Sequence, residues 1–131
     1  MAVMRFQTQP KSLTDPVRCC IPTKLAVDAF PPKQRDHLYC LCDCLWWRLS
    51  VAHKGDRNGY AYLNAAILDR TVPRHARQDI LFRLQQMGVI ECDGLIVIGS
   101  KSRGYRFAEG YQEFKAVYIQ SPKLNKKIRS R

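Results

Sequence analysis

The sequence predicts a small α+β domain of about three helices and a β-hairpin, and three observations support this. The chain has 131 residues, a size typical of one domain, and 46% of them are hydrophobic. Apolar residues recur at helical spacing in two long segments. After Gly88 the apolar period changes from about 3.6 residues to about 2, which indicates strands.

The first long segment, Gln34 to His53, is predicted to be a helix that ends at the polar sequence KGDRNG. Its apolar residues lie three and four positions apart, which is typical of one buried stripe. The stripe consists of Leu38, Leu41, Cys42, Leu45, Leu49 and Ala52.

Residues 1–33 are predicted to form an irregular N-terminal arm, because prolines interrupt any long helix there. These prolines are Pro10, Pro16, Pro22, Pro31 and Pro32. Four apolar residues of this region are candidates for packing on the core, namely Ile21, Leu25, Val27 and Phe30.

The middle of the chain is predicted to hold a short strand at Tyr60–Leu63 and a short helix over NAAILDR, with Asn64 as its N-cap. Thr71 is then expected to cap the next helix, with Pro73 in its first turn. That helix is predicted over 74–87, ending at Gly88 as the C′ residue.

The following segment, VIECDGLIVIG, is predicted to be a hairpin with its turn at Asp93-Gly94. A basic loop, SKSRG, and a short strand, YRFA, come next. The segment YQEFKAVYI fits either a helix or a strand. The last ten residues, PKLNKKIRSR, contain five Lys and Arg and no acid, so 120–131 are predicted to be a disordered basic tail.

The order helix, short strand, short helix, turn, helix, hairpin and basic loop resembles the winged helix-turn-helix superfamily. The pattern R-x-x-I-L-x-x-L-x-x-x-G-x-I, from Arg77 to Ile90, is similar to its second helix leading into the wing. The ending G-x-K-S-R-G-Y-R-F, from Gly99 to Phe107, is similar to small DNA-binding modules of phage and plasmid replication proteins. The resemblance implies a winged-helix domain over 34–119. It also implies a role in replication initiation or transcriptional regulation of a phage, plasmid or prophage.

The charge of the chain favours an anionic partner. Its 22 Lys and Arg against 11 Asp and Glu give a formal net charge of +11. Nucleic acid is the usual partner of so basic a domain. We therefore expect double-stranded DNA as the partner, together with other replication or regulatory proteins.

The predicted helix 74–87 has a polar face, and the N-terminal half of that face contains Arg74, His75 and Gln78. Arg77 is included with them as a candidate DNA-binding residue. In a helix-turn-helix the N-terminal residues of the second helix contact base edges in the major groove. Arginine suits guanine and glutamine suits adenine. Phe82 lies on the same face, and we expect the N-terminal arm to cover it or a partner protein to contact it.

The loop GSKSRGYR is the predicted phosphate-binding wing. Lys101, Arg103 and Arg106 supply charge, Ser102 supplies a hydroxyl donor, and the loop contains no acid. Charged and short polar donors together are typical of phosphate contacts.

The sequence YCLCDCLWW contains three of the six cysteines. On the helical wheel, Cys42 falls beside the core stripe, and we expect it to pack as a small hydrophobe. Cys40 and Cys44 fall on one flank with His37, so the three could bind zinc with Cys19 as a fourth ligand. The usual C-x2-C spacing is absent, so packing is favoured and no metal or other cofactor is expected.

The remaining expectations concern function classes. The sequence contains no paired carboxylates in a recognisable setting and no phosphate-binding glycine loop, so we expect a protein that is not an enzyme. It contains no apolar run typical of a signal peptide or membrane span, so we expect a cytoplasmic location and no membrane partner. Two alternatives remain open, a protein-interaction adaptor and an RNA-binding protein.

Overall fold

The computed structural model describes residues 17–51, 59–63, 71–93 and 104–129. These ranges contain three α-helices and two small antiparallel sheets, an α+β arrangement. The helices are α1 (Arg35–Ser50), α2 (Arg74–Gln86) and α3 (Pro122–Arg129). The strands are β1 (Arg18–Pro22), β2 (Ala61–Tyr62), β3 (Ile90–Cys92), β4 (Gly104–Phe107) and β5 (Phe114–Tyr118).

Helix α1 packs against α2 and against strands of both sheets, and it confirms the predicted first helix in a shorter form. It begins one residue after Gln34 and ends at Ser50, with Val51 as its C-cap. Ala52 and His53 lie outside the described residues. The predicted stripe is buried, since Leu38, Leu41, Cys42 and Leu45 are all 0% exposed, and Leu49 is half-buried.

Residues 17–33, the described part of the predicted arm, do not form an irregular arm. β1 pairs antiparallel with β5, with Arg18 opposite Tyr118 and Pro22 opposite Phe114. The prolines exclude a long helix, but Pro22 ends an edge strand, a place where proline is tolerated. Between β1 and α1 the chain makes two short 3-10 turns, Val27–Ala29 and Pro32–Gln34.

The same region contributes to the core, as its apolar residues suggested. Ile21, Leu25 and Phe30 are buried, which confirms the prediction for these three, whereas Val27 is half-buried. Val17 and Cys19 are buried as well. The N-terminal part of the described chain is therefore an integral layer of the fold.

The second sheet has the strand order β2–β4–β3. The short strand before residue 64 and the strand after Gly88 are both confirmed. The observed partner of β3 is β4, with Ile90 opposite Phe107 and Cys92 opposite Tyr105. At the end of this pair the Asp93 N–H donates to the Gly104 carbonyl at 3.1 Å. The predicted turn at Asp93-Gly94 and the strand after it extend outside the described residues, as does the predicted helix with Asn64.

Helix α2 confirms the second long segment and its glycine stop. Gly88 has φ +74°, and its N–H donates to the Gln85 carbonyl while the Val89 N–H donates to the Leu84 carbonyl. These two bonds form a Schellman motif, which needs the left-handed conformation that glycine adopts freely.

The expected N-cap of α2 was wrong. Pro73, not Thr71, holds the N-cap position, and among the described residues no side chain caps the helix. Thr71 is instead buried, at 3% exposed.

The end of the chain differs most from expectation. The ambiguous segment YQEFKAVYI forms the strand β5. The expected disordered tail is wrong for residues 122–129, which form α3. Leu124 and Ile128, one turn apart, are both buried, and this apolar pair holds the basic segment on the core.

Candidate nucleic-acid interface

The N-terminal half of α2 presents three of the predicted base-reading residues to solvent. Arg74, His75 and Gln78 are all exposed, while Ala76 and Ile80 on the other side are buried. The expected division of this helix into two faces is therefore confirmed. Arg77, the fourth predicted residue, is half-buried between the two faces.

The start of α2 has a local positive potential. Its first turn contains no acidic residue, and within the described part of the chain no side chain caps its N–H groups. Backbone N–H groups at a helix start carry partial positive charge and favour anions. Arg74 adds a full charge at the same place, so this end of the helix suits a phosphate or an electronegative base edge.

Asp79, the acidic residue within α2, is engaged within the protein. Its Oδ2 atom accepts a hydrogen bond from the Gln34 side-chain amide at 2.8 Å. The Arg83 guanidinium lies 3.5 Å from the same oxygen. Asp79 thus ties α2 to the start of α1, and its negative charge is partly balanced by Arg83.

Phe82 lies on the polar face of α2 with 59% of its surface exposed. This exposure leaves Phe82 largely uncovered by residues 17–33, the described part of the predicted arm. The suggestion that the N-terminal arm covers Phe82 is therefore wrong for the described part of that arm.

The predicted wing is described only at its base. Lys101, Ser102 and Arg103 lie outside the described residues. Arg106 lies in β4, where its Nε atom donates to a Glu91 carboxylate oxygen at 2.8 Å. The guanidinium carbon also lies 4.4 Å from the centre of the Tyr60 ring.

The contacts of Arg106 give it a structural role in the β3–β4 pair. The hydrogen bond to Glu91 raises the pKa of Arg106, so the charge stays paired across β3 and β4. A cation stacked on an aromatic ring and bonded to a carboxylate is held in one orientation. In this arrangement Arg106 braces the sheet, and a phosphate would have to compete with Glu91 for it.

Helix α3 contributes a basic surface that the sequence reading had assigned to a disordered tail. Lys123, Lys126 and Lys127 are exposed, while Leu124 and Asn125 between them are buried. The sequence contains two signals for the start of this helix, namely Ser121 at the N-cap and Pro122 at N1, positions where these residue types are favoured. The Leu124 N–H donates to the Ser121 hydroxyl oxygen at 3.2 Å, as expected for that cap.

His37 lies in the first turn of α1 and is half-buried. Burial lowers the pKa of His37 below its ordinary value of 6.5, and Asp36 opposes this effect. His75 of α2 and Lys127 of α3 lower the pKa further by charge repulsion. His75 and Lys127 therefore both lie close enough to His37 to affect its charge.

The four zinc candidates do not come together. In the described part of the chain, which includes all four, no group of three His, Cys, Asp or Glu side chains could hold a metal ion. Cys19 and Cys40 are buried, whereas His37 and Cys44 are half-buried. Cys42 is 0% exposed, as the packing interpretation predicted, and burial raises the pKa of its thiol strongly.

Asp43, in the middle of the cysteine segment, has a structural role that sequence reasoning missed. It is 3% exposed, and its Oδ1 atom accepts the backbone N–H of Cys20 at 2.8 Å. A buried carboxylate needs such a donor, because an unsatisfied one is costly. Asp43 therefore joins α1 to β1.

Among the described residues, no helix combines the length and apolar composition needed to cross a membrane. No family model matches the chain, and no curated protein or solved structure matches it either.

Proposed function

We propose that this protein binds double-stranded DNA as a winged helix-turn-helix protein, with α2 as the recognition helix. The observation that carries the proposal is the shared exposure of Arg74, His75 and Gln78 at the start of a helix whose opposite face is buried. These residue types match the base edges of the major groove. The order α1, β2, α2, β3, β4 and the strand order β2–β4–β3 are compatible with this fold.

Charge supports a polyanionic partner. The formal net charge of +11 favours association with the phosphate backbone, which supplies most of the affinity of such proteins. The sequence resemblance to phage and plasmid modules extends the proposal to replication initiation or transcriptional regulation. Lys101, Ser102 and Arg103 are proposed as phosphate contacts from the wing.

Fluorescence anisotropy with labelled nucleic acids tests the proposal. A mixed-sequence duplex of about 20 base pairs, the matching single strand and an RNA hairpin are titrated at about 50 and about 200 mM salt. We expect the duplex to bind most tightly and to lose affinity steeply with salt. No duplex affinity at the lower salt contradicts the proposal, and preference for the RNA hairpin supports the RNA-binding alternative.

Two matched variants of α2 test how the helix reads sequence. Gln78→Ala removes an amide that could bind adenine. It should therefore change the preference for one base pair of the duplex by about 1 to 3 kcal/mol, and with it the ranking of duplex sequences. Gln85→Ala removes the same side chain two turns further along the exposed side and should leave the ranking unchanged. An unchanged ranking in Gln78→Ala contradicts base readout by this helix.

A second candidate function, protein-interaction adaptor, is favoured by the exposed Phe82. A large aromatic side chain that is 59% exposed is a typical anchor for a partner protein. The adaptor alternative predicts that Phe82→Ser abolishes partner capture. The DNA-binding proposal predicts that the same variant binds duplex as well as the wild type does.

A further inference from the structure

Hydrogen bonds attach helix α3 to the rest of the protein just before its first residue and again at Asn125. The Asp36 carboxylate accepts the backbone N–H groups of Gln120 at 3.1 Å and Ser121 at 2.9 Å, one on each oxygen. Further along, the Asn125 side chain accepts the Val17 N–H at 3.1 Å and donates to the Ile119 carbonyl at 3.2 Å. A basic segment held by bonds to α1 and to one end of the β1–β5 pair, where Val17 and Ile119 lie, has a fixed position.

The solvent side of α3 concentrates positive charge. Lys123, Lys126 and Lys127 are related by three and four positions, so they lie on one face. Like charges at this spacing destabilise an isolated helix. No acidic residue occurs in the helix to relieve that repulsion. An anionic partner on this face would remove the repulsion.

The start of α1 is bonded both to the proposed recognition helix and to the start of α3. Gln34, the N-cap of α1, bonds Asp79 of α2, and Asp36, two residues later, bonds the start of α3. One helical turn therefore contacts both elements. The influence of His75 and Lys127 on the pKa of His37 agrees with this arrangement.

We propose that α3 is a preordered phosphate-contact element, which extends the duplex interface of α2 across the first turn of α1 and binds the phosphodiester backbone through Lys123, Lys126 and Lys127. The inference rests on the proposed function, since it assumes that α2 meets a duplex. It differs from binding by a flexible basic tail because the position of the lysines, and not their number alone, determines affinity.

Charge-matched double variants of the full chain test the role of position. Lys123→Gln with Lys126→Gln removes two charges from α3. Lys24→Gln with Lys115→Gln removes two exposed lysines near the other end of the β1–β5 sheet. Losing two phosphate contacts makes the slope of log affinity against log salt shallower by about 1.8. Over a fourfold rise in salt, the variant should therefore lose about twelvefold less affinity than the wild type does. The α3 variant should show this change, and the control variant should keep the wild-type slope.

Asp36→Ala distinguishes the position of α3 from its charge, because the two explanations predict opposite changes in duplex affinity. The substitution adds one to the formal net charge of +11, so binding that depends on charge alone becomes tighter. If α3 must be held in place, the variant binds the duplex more weakly than the wild type does, and circular dichroism confirms that it is folded. Should Asp36→Ala fail to fold, Ser121→Ala removes the helix cap without changing charge and should weaken binding in the same way.

The outcomes separate this inference from the proposed function. A wild-type protein without duplex affinity at low salt overturns the proposed function, and the inference with it. If the wild type binds but the α3 and control variants have equal slopes, the inference alone is overturned. Tighter binding by folded Asp36→Ala also overturns the inference alone.

Discussion

The Asp36 carboxylate accepts the backbone N–H of Ser121 at 2.9 Å, which joins the first turn of α1 to the start of the C-terminal helix. This bond connects residues that are far apart in the sequence and belong to different parts of the fold. Because Ser121 also caps α3 through its hydroxyl, the contact sets both the position and the first turn of that helix. The basic end of the chain thereby becomes part of the folded surface.

The first prediction concerns the order of α3. Asp36→Ala removes two hydrogen-bond acceptors, and a loss of about 1 to 2 kcal/mol should speed local opening by about fivefold to thirtyfold. Hydrogen exchange at the amides of Leu124 and Asn125 measures this opening. The amide of Val89, in the α2 stop, is the internal reference and should keep its rate. Equal rates in variant and wild type at all three amides would contradict the proposed fastening.

The second prediction concerns the helix stop at Gly88. No atom of the described residues lies within 4 Å of a Cβ at this position, so the cost of Gly88→Ala is conformational and not steric. A left-handed φ of +74° costs alanine about 1 to 2 kcal/mol. Urea unfolding should show this loss in the free energy of unfolding. Gln86→Ala, at the exposed last residue of α2, should change it little, and an equally small effect of Gly88→Ala would argue against the left-handed stop.

The third prediction concerns pH. Because burial keeps the pKa of folded His37 below 6.5, the unfolded state takes up a proton first as the pH falls. The unfolded state then binds more protons, so stability is present above pH 6.5 and declines as the pH falls through 6.5. Unfolding midpoints in urea at about pH 7.5 and about pH 5.5 should differ less in His37→Gln than in the wild type. The same pH dependence in both proteins would refute a role for His37.

The fourth prediction concerns the cysteine segment. Cys42 is completely buried, and its raised pKa leaves little thiolate for reaction. In the native protein, iodoacetamide should therefore modify the half-buried Cys44 and Cys92 well before Cys42. Mass spectrometry of timed digests measures the order. Early modification of Cys42 would show that the core around it opens readily, against the packing described here.

The elements that the sequence predicted well are those with local signals. α1 and α2 follow from apolar residues at helical spacing, and the end of α2 follows from Gly88. The exposed face of α2, with Arg74 and Gln78, follows from the same spacing. In each case the residues that determine the structure lie within a few positions of one another.

The elements that the sequence did not predict depend on distant partners. β1 forms because it pairs with β5, which lies near the other end of the chain. The prolines around β1 suggested irregular structure, so this strand was not predicted. In α3 the lysines suggested disorder, although Leu124 and Ile128 occupy the spacing of a buried pair. Likewise, the pairing of Arg106 with Glu91 depends on the register of β3 and β4, which only the fold defines.

The most direct test of duplex binding by α2 and α3 is the change in backbone amide chemical shifts on titration with a duplex at low salt. The account predicts the largest changes at residues 74–78 of α2 and 123–127 of α3, and small changes in β1. An absence of changes at every amide would contradict duplex binding. Changes confined to the surroundings of Phe82 would contradict the assigned interface and favour the adaptor alternative.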